Sequence, residues 1–69
     1  MLSFKGFKEA LKELAEKSKN QYHSVQREIT EYCNSDVRDE YRCYIEDVGW
    51  TDGYSTPDQA IKEMREKIK

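Results

Sequence analysis

At 69 residues, 36% of them hydrophobic and 38% charged, the chain is shorter than a usual domain, which excludes a second domain on size alone. A core this small buries only about 60% of the surface its unfolded chain exposes, which raises the expectation of self-association. Formal net charge is −2, but residues 35–59 set seven acids against two arginines and form the acidic part of the chain. No window approaches the roughly 18 apolar residues of a membrane span, and Met1-Leu2-Ser3-Phe4-Lys5 runs into charge rather than a secretory core. A cytoplasmic protein without membrane association is expected.

The first element has a helix start at Ser3, with Leu2 before it and Phe7 four residues after it placed as a hydrophobic staple. Apolar or small residues then recur at steps of three and four through Phe4, Phe7, Leu11, Leu14, Ser18, Tyr22, Val25, Ile29 and Tyr32. Neither Gly nor Pro occurs between Gly6 and Gly49. The spacing predicts one long helix from Ser3 to Cys33, closed by Asn34-Ser35-Asp36. The competing signal is the polar run from Glu16 to Gln21, where Ser18 and Gln21 have the capping-box spacing of a second helix start and where, near Lys17 to Gln21, the rod can bend into a hairpin.

A straight helix of that length measures about 46 Å at 1.5 Å a residue, against roughly 28 Å for a compact domain of this size. The overhang predicts a homodimer, with Leu14, Tyr22, Val25 and Ile29 along the paired helix seam. Joining two hairpins edge to edge is the other route to a dimer.

Next comes Val37 to Val48, where Tyr41, Cys43 and Ile45 alternate with Arg42, Tyr44 and Glu46 as in a half-buried strand. A turn at Asp47-Val48-Gly49 leads to a shorter strand over Trp50 to Ser55, with Asp52-Gly53 read as a bulge. Thr56-Pro57-Asp58-Gln59 combines a cap, Pro at the first helical position and Gln at the capping-box position. The helix it starts carries Ala60, Ile61, Met64 and Ile68 on one face. The expected fold class is α+β: long N-terminal helix, short antiparallel two-stranded hairpin, C-terminal helix.

Chemistry finds little purchase. His23, the one histidine, has no Cys, Asp or Glu three or four residues further on to share a site with it. Cys33 and Cys43 are too few for a disulfide framework and lack zinc-site spacing, so they are expected as reduced, partly buried thiols. There is no Gly-rich phosphate loop, and neither enzymatic activity nor a cofactor is expected. The lysines of the first helix (Lys5, Lys8, Lys12, Lys17, Lys19) interleave with Glu9, Glu13 and Glu16 as ordinary helix pairs rather than as a nucleic-acid stripe.

What remains is the hairpin, where Tyr44, Trp50 and Tyr54 lie among Glu46, Asp47 and Asp52. Aromatics ringed by acids suit a basic protein partner, although Trp50 also qualifies as core. The run from Ile45 through Asp52-Gly53 and Thr56-Pro57-Asp58-Gln59-Ala60 to Ile61 resembles the hairpin and helix of HicB-type antitoxins, with Gly53, Thr56 and Ala60 in comparable places. That resemblance implies a small regulatory binding module and carries over no functional residue. The expected function is a stoichiometric protein-binding regulator or inhibitor, of a size and charge that suit a phage or mobile-element protein. An antitoxin-like or nucleic-acid-associated regulator is the alternative.

Overall fold

In the computed structural model, which describes residues 1–19 and 22–68, Ser3 caps the first helix as expected: the Gly6 N–H donates to its Oγ at 3.0 Å. Helix α1 (Phe4–Lys17) buries Phe7, Leu11, Leu14 and Ala15, and Leu2 packs against the same core. It ends where the polar run begins. The Ser18 hydroxyl reaches back to the carbonyls of Leu14 and Ala15, and Lys19 turns left-handed, its N–H donating to the Glu16 carbonyl at 3.1 Å. Gln21, the expected capping-box partner of Ser18, lies outside the described residues.

The continuous helix to Cys33 does not form. Residues 23–31 are strand β1 (His23–Glu31), antiparallel to β2 (Val37–Ile45), with His23 opposite Ile45 and Glu31 opposite Val37. Val25 and Ile29 are four residues apart, a spacing that places two side chains on one face of a helix and of a strand alike. Only pairs three apart discriminate, and Tyr22 with Val25, like Ile29 with Tyr32, fall on opposite faces here. The β-branched and aromatic content of the segment favours the extended form. Asn34-Ser35-Asp36 accordingly belongs to a hairpin turn rather than a helix end. Ser35 takes the positive φ, 70°, while Asn34 Oδ1 accepts from the Asp36 N–H.

The second hairpin turns where expected, but its second strand is Gly49–Trp50 with an isolated bridge at Tyr54 rather than a run over Trp50 to Ser55, and it is the edge of a three-stranded sheet rather than half of a two-stranded one. A turn through Asp47 (φ 71°) and Gly49 (φ 103°) joins β2 to β3 (Gly49–Trp50). Nothing crowds the place of a Cβ at Gly49, so backbone conformation alone selects glycine there. Trp50 lies opposite Tyr44, and Tyr54 opposite Tyr41. The third segment therefore holds one more residue than β2 between those pairs, which is the bulge expected at Asp52-Gly53. A Cβ on Gly53 would collide with the Glu40 carboxylate. Helix α2 (Pro57–Lys67) opens with the Gln59 N–H donating to Thr56 Oγ1.

The result is an α+β fold in helix, sheet, helix order, with the strands in the order β1-β2-β3. Both helices lie on the sheet face that carries Tyr41, Cys43 and Ile45, and their Phe7, Leu11, Ile61 and Met64 complete one core with it. Among the described residues Thr51 is the buried polar one; its Oγ1 accepts from the Cys43 N–H at 3.1 Å and its hydroxyl donates to the Asp52 carbonyl at 3.0 Å.

The molecule measures 44 × 21 × 18 Å, so an overhang exists, but the β1–β2 hairpin makes it. The expected helical seam has no counterpart. Leu14 is in the core, Val25 and Ile29 share the helix-facing side of β1, and Tyr22 lies on the other side.

The register predicts that Ile45→Ala costs about 2–5 kcal/mol, the range for a truncated core aliphatic, and that Tyr44→Ala costs about 1 kcal/mol or less. Urea midpoints of the two variants check this, and equal losses would mean that the faces of β2 are assigned wrongly.

Candidate functional site

Alternation along β2 sends Tyr44, Arg42, Glu40 and Arg38 to the face that neither helix covers, together with Ser24, Gln26 and Glu28 of β1 and Trp50 of β3. Tyr22, just before β1, joins them because the Glu46 N–H donates to its carbonyl, which continues the pairing by one step. The three large rings form a row. Tyr22 meets Tyr44 edge to face, centroids 5.8 Å apart, and Tyr44 meets Trp50 at 5.2 Å with the planes tilted by 42°. Trp50 is 46% exposed and Tyr22 59%, so Trp50 belongs to this surface and not to the core.

The structure divides the expected hairpin site. Tyr44 and Trp50 are together, and Glu46 and Asp47 are exposed in the turn beside them. Asp47 also fulfils the backbone role that turns give Asp. Tyr54 is on the other side: its hydroxyl donates to Glu63 of α2 at 2.5 Å. Asp52 sits in the bulge with its N–H directed to the same carboxylate at 3.4 Å. Tyr22, assigned from sequence to a helical seam, belongs with Tyr44 instead.

Beside the ring row runs a polar strip in which Glu40 faces Arg42 at 3.2 Å and Arg38 at 3.7 Å. The Arg38 pair is solvated and worth little, and the Arg42 pair is partly buried. On the helix-facing side, Arg27 makes a two-pronged bond to Asp39, Nε to Oδ1 at 2.9 Å and Nη2 to Oδ2 at 2.6 Å. That hydrogen bonding holds the Asp39 carboxyl below its usual range.

Burial pushes the Cys43 thiol up to about 11, with the Thr51 hydrogen bond opposing, so the thiolate is disfavoured and the sulfur is a packing group. Cys43 is buried as expected; Cys33 is exposed in the hairpin turn, and both are free thiols. His23 starts β1 rather than riding a helix, half-buried on the helix-facing side. Among the described residues no group of three or more His, Cys, Asp or Glu could hold a metal ion, and no helix is long and apolar enough to cross a membrane.

No family model, curated protein or solved structure matches the chain. The likeness of residues 45–61 to HicB-type antitoxins therefore rests on its residues alone.

The contact between Tyr54 and Glu63 yields a pH prediction. Bonding to Glu63, then burial, raises the Tyr54 phenol from 10.0 to about 12, and the same bond holds Glu63 below its ordinary 4.5. The raised phenol gives stability that is whole below pH 10 and fades as pH climbs toward 12; the lowered carboxyl gives stability that is whole above 4.5 and fades in acid. The stability gap between wild type and Tyr54→Phe should thus be flat from about pH 5 to 9 and narrow on either side. Chemical denaturation across that range measures it, and a gap unchanged up to pH 12 would contradict the bond.

Proposed function

We propose that the chain is a non-catalytic, stoichiometric protein-binding regulator whose docking surface is the helix-free face of the sheet around Tyr22, Tyr44 and Trp50. The observation that carries this reading is the row itself: three large rings, Tyr44 touching both Tyr22 and Trp50, on the sheet face that neither helix covers. Rings already packed against one another have little rotamer freedom left to lose on binding. Tyr and Trp are the side chains on which binding energy concentrates.

Glu46 and Asp47 at the end of the row add negative charge at its rim, where charge governs approach and orientation more than final affinity. A partner with a basic rim around an apolar pocket suits this surface, and its association rate should fall as salt rises.

Trp50 is the single tryptophan, so its emission reports directly on the surface. Affinity capture with immobilised wild type and with a Tyr44→Ala/Trp50→Ala variant, followed by mass spectrometry, should identify a protein retained in equimolar amount by the wild type alone. Titrating that protein against the free chain should shift Trp50 emission to shorter wavelength. Equal retention by the folded variant, or recovery of nucleic acid without protein, would sink the proposal.

A further inference from the structure

The two edges of the sheet are treated differently. At the β3 edge the strand is two residues long, a bulge follows it, and Lys67 Nζ donates to the outward carbonyl of Trp50 at 3.2 Å. These are the devices that keep a sheet edge from pairing. The β1 edge has none of them: nine residues, no Pro, no Gly and no bulge against β2. Tyr22 and Tyr32 direct their backbone groups toward β2. By alternation, the N–H and C=O groups of His23, Val25, Arg27, Ile29 and Glu31 then point away from the sheet. All five of these residues are unpartnered on that edge.

We propose that two copies of the chain pair β1 against β1, antiparallel and centred on Arg27, to make one continuous six-stranded sheet. This register places every outward residue opposite an outward residue, and the side chains agree with it. On the helix-facing side Val25 meets the partner's Ile29, and His23 meets the partner's Glu31. On the other side Tyr22 meets the partner's Tyr32. Sliding one pair in either direction sets Val25 against the partner's Arg27 or against the partner's Glu31 and leaves outward groups unpaired.

Two further features fit. Ile29 is 60% exposed on the overhanging hairpin, and pairing lays it beside an apolar neighbour. The flank of α1 and the start of β1 enclose a groove of about 420 Å³, lined by Phe4, Lys5, Lys8, Glu9, Lys12 and His23. The partner's Ile29 and the partner's Glu31 arrive on that side of the sheet. Exposed Phe4 then answers an aliphatic side chain and the lysines answer a carboxylate. Among the described residues His23 Nδ1 has no hydrogen-bond partner, and a carboxylate is brought to that imidazole. The two Arg27 residues at the axis do not oppose the arrangement, because each is neutralised by Asp39 and turned over the Tyr41 ring.

This inference stands apart from the aromatic docking face and is tested without any partner protein. Sedimentation equilibrium over a hundredfold concentration range should show a reversible monomer–dimer equilibrium. Ile29→Pro removes an outward N–H and leaves the ladder to β2 intact; it and Ile29→Lys should each raise the dissociation constant about tenfold or more, with circular dichroism unchanged. In a Cys33→Ser background, Arg27→Cys should cross-link the dimer under mild oxidation, because residue 27 faces itself, whereas Gln26→Cys should not. A wild type monomeric throughout, a folded Ile29→Lys variant that dimerises as wild type does, or equal cross-linking at positions 26 and 27 would overturn it.

Discussion

Two short helices have to cover a hairpin that is longer than either of them. At standard rises α1 spans about 21 Å and α2 about 16 Å, whereas the nine-residue strands of the β1–β2 hairpin run to about 30 Å. The helices therefore settle over Tyr41, Cys43 and Ile45, where the core closes. Beyond Tyr41, on the helix-facing side, β2 continues with Asp39 and exposed Val37 while β1 continues with exposed Ile29. Arg27 and Asp39 mark the boundary, a charge pair lying where apolar cover runs out.

The uncovered surfaces follow from that shortage. With both helices on one face, the other face keeps whatever the even-numbered positions of β1 and β2 carry, and near the closed end that is Tyr44 between Tyr22 and Trp50. With the β3 edge blocked by its bulge and Lys67, β1 is the edge left open. The ring row and the β1 edge meet at Tyr22, so a dimer built on that edge would extend the docking face with the partner's Tyr32.

Much of the fold was legible in the residues, and the exceptions have physical reasons. Caps and turns are local chemistry, and Ser3, Thr56-Pro57 and Gly49 act in the structure as their types require. The alternation through Tyr41, Cys43 and Ile45 was equally plain. The segment from Tyr22 to Tyr32 is ambiguous in sequence because its apolar pair, Val25 and Ile29, satisfies helical and strand spacing alike. Its identity as a strand depends on pairing with β2, a long-range contact that no local period encodes. The candidate site was half legible for the same reason. Tyr44 and Trp50 are neighbours through a tight turn, Tyr22 reaches them only through strand β1, and Tyr54 is carried to Glu63 by a bulge whose effect on side-chain direction no local pattern encodes.

The central claim is that residues 23–31 form an edge strand with one row of amides bonded to β2 and the other open. Residue-resolved hydrogen exchange by NMR at low and high protein concentration tests it most directly. At low concentration the amides of Ser24, Gln26, Glu28 and Thr30 should be protected while those of Val25, Arg27 and Ile29 exchange quickly, and at high concentration the second set should become protected as well. Unbroken protection from Ser18 to Tyr32 would restore the helix and contradict the account, whereas a period-two pattern that concentration does not change would keep the edge strand and remove only its pairing with a second copy.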